Sequence, residues 1–312
     1  MSAEGSTKAV VAALAANMGI AVSKFVAYAF TGSASMLAEG VHSVADSGNQ
    51  VLLLIGGKQA RKKADTEHPF GYGRERFVYA FIVSVVLFSV GGLFALYEGW
   101  HKVTHPEKVD SWYWAVGVLL FAMVMEGMSF RTAVRESNHL REGSSWIGFI
   151  RRATTPELPV VLLEDSGALL GLCFALFGVG MAVITGNGRW DGVGTLAIGA
   201  LLVCIAVILA VEMKSLLVGE GAGKHDVAAI RTAAVDGHTV TDVIHLRTMY
   251  LGPEELLVAI KIAVQHDDTA LEVAEAIDEA EARIRTAVPE ARLIYIEPDV
   301  RRPGPLPEPT TG

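Results

Sequence analysis

The stretch EGVHSVAD, residues 39–46, sets Glu39, His42 and Asp46 inside an otherwise apolar segment, SASMLAEGVHSVADSGNQVLLLIGG. On a helix these positions share one face, because residues three and four apart stand one turn above each other. A second apolar run, VVLLEDSGALLG, is broken by Glu164 and Asp165. A neutral imidazole and two carboxylates converging from two helices suit a borderline divalent cation such as Zn2+. The alternative is a set of buried hydrogen-bonding groups that fixes helix packing. An ionisable side chain inside a membrane costs at least about 2.5 kcal/mol on insertion scales, so five of them on two apolar segments favour a functional site.

The elements that must position these residues are long and apolar. Of 312 residues, 51% are hydrophobic, and the mean hydropathy is +0.39. The apolar residues gather into six runs, at 9–30, 34–57, 77–99, 112–133, 159–185 and 192–217, each near the roughly 20 residues that span a bilayer. They predict an α-helical membrane protein with six transmembrane helices, although Lys24 and Glu126 interrupt two of them. No cleavable signal peptide is expected. Cys173 and Cys204 both fall inside spans, which excludes a disulfide framework.

Charge divides the chain in two. Residues 1–218 hold 17 acidic and 17 basic side chains, and residues 219–312 hold 17 and 9, so the whole net charge of −8 lies in the C-terminal part. That acidity argues against a nucleic acid partner. The loop 58–76 carries six Lys and Arg and the loop 131–158 carries five, whereas the alternate loops carry two (Lys102 and Lys108) and one (Arg189). By the positive-inside rule both termini are cytoplasmic, in a multi-pass protein of the plasma (inner) membrane.

The C-terminal part follows the order helix 225–235, strand 241–250, strand 256–264, helix 270–287 and strand 291–297. That order predicts an α+β ferredoxin-like cytosolic domain over 219–299, a small open sheet with helices on one face. Residues 1–218 are expected to form a six-helix transmembrane domain, and residues 300–312 a disordered Pro-rich tail.

TGSASMLAEGVHSVADSGNQ, followed by HPFGYGRER, resembles the cation diffusion facilitators, proton-coupled exporters of zinc and related divalent metals. The likeness covers nearly the whole chain. It implies a homodimer formed through the C-terminal domain in the lipid bilayer, with one transport site per protomer between the second and fifth helices. Metal would bind from the cytosol and leave by alternating access as protons enter. His42 and Asp46 match the family's helix-two pair, and Asp165 matches the second member of the helix-five pair. The first member falls on Val161, which cannot ligate. This departure resembles a subgroup that includes the animal mitochondrial zinc exporter, where LLED also occurs. Glu164, Asn49 or water is left to complete the site. Glu164 is turned about 100° from Asp165 around the helix, so it would have to swing or the helix unwind locally. Such a site is less strictly tetrahedral and leaves Mn2+, Fe2+ or Co2+ beside Zn2+. A proton charging His42 or a carboxylate would displace the cation.

Other positions carry lesser expectations. Asp65 and His68 match a loop metal site of some family members whose third ligand falls here on Tyr72; otherwise HPFGYGRER is a tight turn. His245 and Glu297 match C-terminal positions where some relatives bind two metals, but the remaining positions fall on Lys261 and Tyr295. An ammonium there argues against a metal pair, so the domain reads as a dimerisation module. Glu39 and Glu126 are candidates for a proton path, with Glu126 alternatively paired to Arg131 at the cytosolic end. SSWIGFIRR, residues 144–152, is expected on the membrane surface. A membrane-embedded metalloenzyme would need a firmer zinc grip than one intramembrane His supplies, and HExxH does not occur, so the chain does not read as an enzyme. A non-transporting metal sensor or scaffold would differ from an exporter in binding metal and moving none.

Overall fold

The computed structural model describes residues 2–31, 34–106, 112–141, 145–153 and 155–301. The chain divides into two compact units, Met1–Val218 and Gly219–Gly312. The first is helical: α1 (Ser2–Thr31), α2 (Ala34–Gln59), α3 (Glu75–Val86), α4 (Phe94–Thr104), α5 (Trp112–Arg141), α6 (Trp146–Arg152), α7 (Glu157–Thr185) and α8 (Arg189–Val218). α1 packs on α2 and α5, α5 on α7, α7 on α8, α8 on α3 and α4, and α3 on α2, so the long helices close a ring.

Among the described residues, five helices are long and apolar enough to cross a membrane: Thr7–Ala29, Glu75–Thr104, Trp112–His139, Glu157–Thr185 and Arg189–Val218. This is a multi-pass membrane protein. The sixth predicted span, α2, has the length, at 26 residues. Its Glu39, Asp46, Lys58 and neighbouring polar groups keep it less apolar than the other five. A helix of that kind belongs inside a bundle, where its polar face is shielded from hydrocarbon.

The predicted span 77–99 is not one regular helix. α3 and α4 are joined by a π-helical segment, Leu87–Leu93. A Cβ added to Gly92 would stand 2.7 Å from Val203 Cγ2, one on Gly99 would stand 2.6 Å from the Leu196 nitrogen, and one on Gly199 would stand 2.7 Å from the Leu96 nitrogen. The missing side chains let α4 and α8 meet backbone to backbone, which in a bilayer replaces the absent hydrophobic drive with close dispersion contact. Tyr97, Trp100, Trp112 and Tyr113 are exposed where α4 ends and α5 begins, the placement of an interfacial aromatic belt.

The second unit runs α9 (Lys224–Ala234), β1 (Asp242–Gly252), β2 (Glu255–Val264), α10 (Ala270–Ala287) and β3 (Ala291–Val300). β1 pairs antiparallel with β2, and β2 parallel with β3, in the order β1-β2-β3. The parallel pair requires a crossover, which α10 supplies. Along β2, Leu256, Val258, Ile260 and Ile262 are buried with Ile230, Ala234, Ala276 and Ile284 from the helices; the two-residue period puts the intervening side chains on the other face. Val300, expected in the tail, instead closes β3, because it pairs with Val264. Residues 302–312, the rest of the predicted tail, lie outside the described residues.

α10 starts with a reciprocal cap: the Thr269 side chain accepts from the Glu272 backbone N–H, while Glu272 Oε2 accepts from the Thr269 N–H at 2.7 Å. Thr269→Ala is therefore expected to lower the stability of this unit by about 1 kcal/mol. Chemical denaturation of residues 219–301 measures it; an unchanged midpoint would show that the cap is idle.

Candidate cation site within the helical unit

α2 carries Asp46, Asn49 and Gln50 at i, i+3 and i+4, so they project from one face. The backbones of Glu39 and His42 belong to the same helix; their side chains lie outside the described residues. α7 brings Glu164 and Asp165, α5 brings Glu126 and Ser129, and α1 brings Asn17 and Lys24. Asp165 is 2% exposed and Glu126 5%. Asp46, Asp165 and Glu126 all lie within Coulombic reach of Glu164. Asp46, Asp165 and Lys24 lie within reach of Glu126. Carboxylates from three helices thus face one region.

Hydrogen bonds hold most of these groups in place. Ser129 Oγ donates to Asp165 Oδ2 at 2.6 Å, and Lys24 Nζ donates to Ser43 Oγ at 2.9 Å. Asn49 Nδ2 and Gln50 Nε2 each donate to one oxygen of Glu164 at 3.0 Å, and Asn17 Nδ2 donates to Gln50 Oε1 at 3.2 Å. Glu164 is thus tied to α2 through both oxygens. A swing of its carboxylate to join Asp165 would break both bonds. Among the described residues no three His, Cys, Asp or Glu side chains stand together closely enough to hold a metal. Asp46 and Asp165 belong to different helices, α2 and α7, and His42 is not among the side chains described.

Glu126 does not pair with Arg131. It is buried among Lys24, Asp46 and Asp165, whereas Arg131 is exposed. Val161 is fully buried in the apolar core with Val160, Leu162 and Phe77. Asn17, Lys24, Gln50 and Ser129 are site residues that the motif reading passes over. Their signal was polarity at helical spacing: Gln50 is i+4 from Asp46 and Ser129 is i+3 from Glu126. Where α3 and α7 begin, Arg76 Nε and Glu157 Oε1 are 3.3 Å apart with both side chains buried. A Cβ on Gly57 of α2 would meet both within 4.0 Å.

The loop pair is engaged otherwise. Asp65 Oδ1 accepts the backbone N–H groups of Glu67 and His68, and Oδ2 accepts the Tyr72 hydroxyl at 2.7 Å. The Tyr72 bond, and then the His68 N–H, hold the Asp65 carboxyl below its ordinary range, and Asp65 pushes the Tyr72 phenol up. The His68 and Tyr72 rings lie 4.4 Å apart, tilted by 35°. These contacts build the tight turn. In the second unit His245 pairs with Lys261, and Lys261 with Glu297, across the three strands. Lys261 Nζ lies 2.8 Å from Glu297 and 3.2 Å from Asp299; these two bonds, Glu297 first, raise its ammonium above the usual range. Lys261 thus holds both Glu297 and Asp299 in ion pairs. In α6, Phe149 packs with Ala9 and Leu158 while Ile147 is 71% exposed, the two-sided character expected at a membrane surface.

Residues 10–218 match the cation efflux transmembrane domain family. The chain is 34% identical over 218 residues to the human protein "Proton-coupled zinc antiporter SLC30A9, mitochondrial", covering 69% of this chain and 38% of that one. It is 28% identical over 250 residues to Metal tolerance protein C4 of Arabidopsis thaliana, 80% of this chain and 55% of that one. It is 26% identical over 293 residues to the cation-efflux pump FieF of Pectobacterium atrosepticum, 92% and 91% of the two chains. The chain spans about two fifths of the length of the SLC30A9 proteins it matches. With the family matched over most of its helical unit, this chain belongs to the cation efflux family, a family of membrane transporters and not of enzymes.

Proposed function

We propose that this chain exports divalent cations, Zn2+ foremost, from the cytosol across the plasma membrane in exchange for protons, with His42, Asp46 and Asp165 as ligands. The observation that carries the reading is the gathering of Asp46, Glu126, Glu164 and Asp165 from three helices inside a unit otherwise built of apolar side chains. Carboxylates so placed repel one another when charged, and low dielectric strengthens the repulsion. A dication relieves it from one side of the membrane, and protons relieve it from the other. Because either occupant excludes the other, exchange follows without a further device. The human relative is itself named a proton-coupled zinc antiporter, which supports zinc as the first choice. Uptake of Zn2+, Mn2+, Fe2+ and Co2+ into proteoliposomes tests the reading; an exporter of this kind moves Zn2+ fastest, and a chain that binds these ions yet moves none is a sensor instead.

The working unit in this reading is a homodimer held by the C-terminal unit without metal, since Lys261 already neutralises Glu297 and Asp299. Residues 219–301 should sediment as a dimer with or without chelator. Dimers that fall apart on chelation, or calorimetric binding of two Zn2+ per protomer, would contradict it.

A further inference from the structure

Resting on the exporter reading, we infer that the side-chain oxygen of Asn49 is a ligand of the transported cation and that Glu164 is the residue that positions it. Asn49 is three residues beyond Asp46 and 3% exposed. Its Nδ2 donates to Glu164 Oε1. The amide nitrogen faces Glu164 in this bond, so Oδ1 is turned away from it. That Oδ1 is buried and meets no donor among the described residues.

Buried oxygens of this kind nearly always find a partner, and the neighbouring network shows how completely the rest is satisfied. Gln50 Oε1 receives Asn17, Gln50 Nε2 serves Glu164 Oε2, and Asp165 receives Ser129. One acceptor is left over, on the helix that carries His42 and Asp46, in a region crowded with carboxylates. A cation bound between Asp46 and Asp165 would satisfy it. The ligand gained is a hard, neutral oxygen, which brings no charge of its own and needs no proton to release the metal. It takes the place of the ligand that Val161 cannot provide, and as an oxygen it favours Mn2+ relative to Zn2+ more than an imidazole would. Glu164, with both oxygens committed to α2, acts through Asn49 and does not touch the cation.

The test is equilibrium binding of Zn2+ and of Mn2+ to the purified full chain in detergent, with flux measured separately. Asn49→Ala should weaken Mn2+ binding about tenfold or more and Zn2+ binding less. Glu164→Gln puts a donor against Asn49 or Gln50, turns the Asn49 amide over and points its NH2 at the cation. The expected loss is about ten- to a hundredfold, the range for a residue behind a ligand. The double variant should then bind no worse than the weaker single one, because both changes remove the same contact. If Asn49→Ala fails to fold, Asn49→Leu with the d–d absorption of bound Co2+ reads the same ligand: its loss changes the band, whereas a packing role leaves it unmoved. Wild-type affinities in Asn49→Ala, or losses that add in the double variant, would overturn the inference. Asp46→Ala separates the two levels. If it too binds like wild type, the exporter site itself is misplaced; if it alone abolishes binding, only the Asn49 assignment falls.

Discussion

Asp46→Ala and Asp165→Ala, each alone, should reduce zinc-for-proton exchange to the level of protein-free vesicles. Each removes a proposed ligand from a set that Val161 already leaves one short, so the loss should exceed the roughly 10–100-fold seen when only a residue behind a ligand is changed. The fold should survive. Asp46 and Asp165 both lie within Coulombic reach of Glu126 and Glu164, and deleting one buried charge of a like-charged set relieves repulsion and desolvation as it removes contacts. Lys24, in reach of Glu126, keeps a counter-charge in the region. Elution volume and melting midpoint in detergent should stay near those of the parent while flux disappears. Substantial flux from either variant would remove that carboxylate from the site.

Arg76 and Glu157 should behave in the opposite way, with a large effect on stability. Their side chains are only 9% and 6% exposed, and Nε stands 3.3 Å from Oε1. Removing one partner takes a close opposite charge from the other in a place that water scarcely reaches, which costs up to about 3–5 kcal/mol. Glu157→Ala takes this carboxylate from the guanidinium, and Arg76→Met takes this guanidinium from the carboxylate. The double variant Arg76→Met/Glu157→Leu should recover most of the loss, because it buries two apolar groups where two charges stood. Because α2, α3 and α7 all meet at this pair through Gly57, Arg76 and Glu157, a single-partner loss should loosen the very helices that carry Asp46 and Asp165. Midpoints of thermal unfolding for the three variants decide it. Single variants as stable as the parent, or a double variant no better than the singles, would show that the pair contributes little.

How much of this could be read beforehand depends on the kind of signal. α10 appears at its predicted bounds of 270–287, because an amphipathic helix between a capping Thr269 and Pro289 announces both ends. β1 and β2 followed from short β-branched runs around the turn at Pro253 and Glu254. The membrane helices were recognisable, but their ends were not. α5 runs on to Arg141, since a helix does not stop where hydrophobicity does. The π-helical segment at Leu87–Leu93 left only the pair Gly91–Gly92 as a trace, and hydropathy cannot distinguish a widened turn from a regular one.

At the site, spacing along α2 pointed to His42 and Asp46, and the interrupted apolar run to Glu164 and Asp165, but partners from other helices were beyond its reach. Asn17 meets Gln50 across 33 residues and Asn49 meets Glu164 across 115. Only the packing of α1, α2 and α7 reveals that Glu164 faces α2 and is held there. Glu126, a proton-path candidate or a partner of Arg131 by sequence, is buried and within Coulombic reach of Asp46 and Asp165, which spacing along α5 could not show. Asp65 shows the same limit within a loop, because its bonds to the His68 N–H and the Tyr72 hydroxyl do not follow from spacing.

The central claim is that one site takes a divalent cation from one side and protons from the other. Proteoliposomes loaded with a pH-sensitive dye, given external Zn2+ with no initial pH gradient, test it most directly. The account predicts that luminal pH rises in step with Zn2+ uptake, that an imposed acid lumen speeds the uptake, and that Asp46→Ala abolishes both signals together. Zn2+ uptake with no movement of protons, or Zn2+ bound to the protein with neither ion crossing, would contradict it.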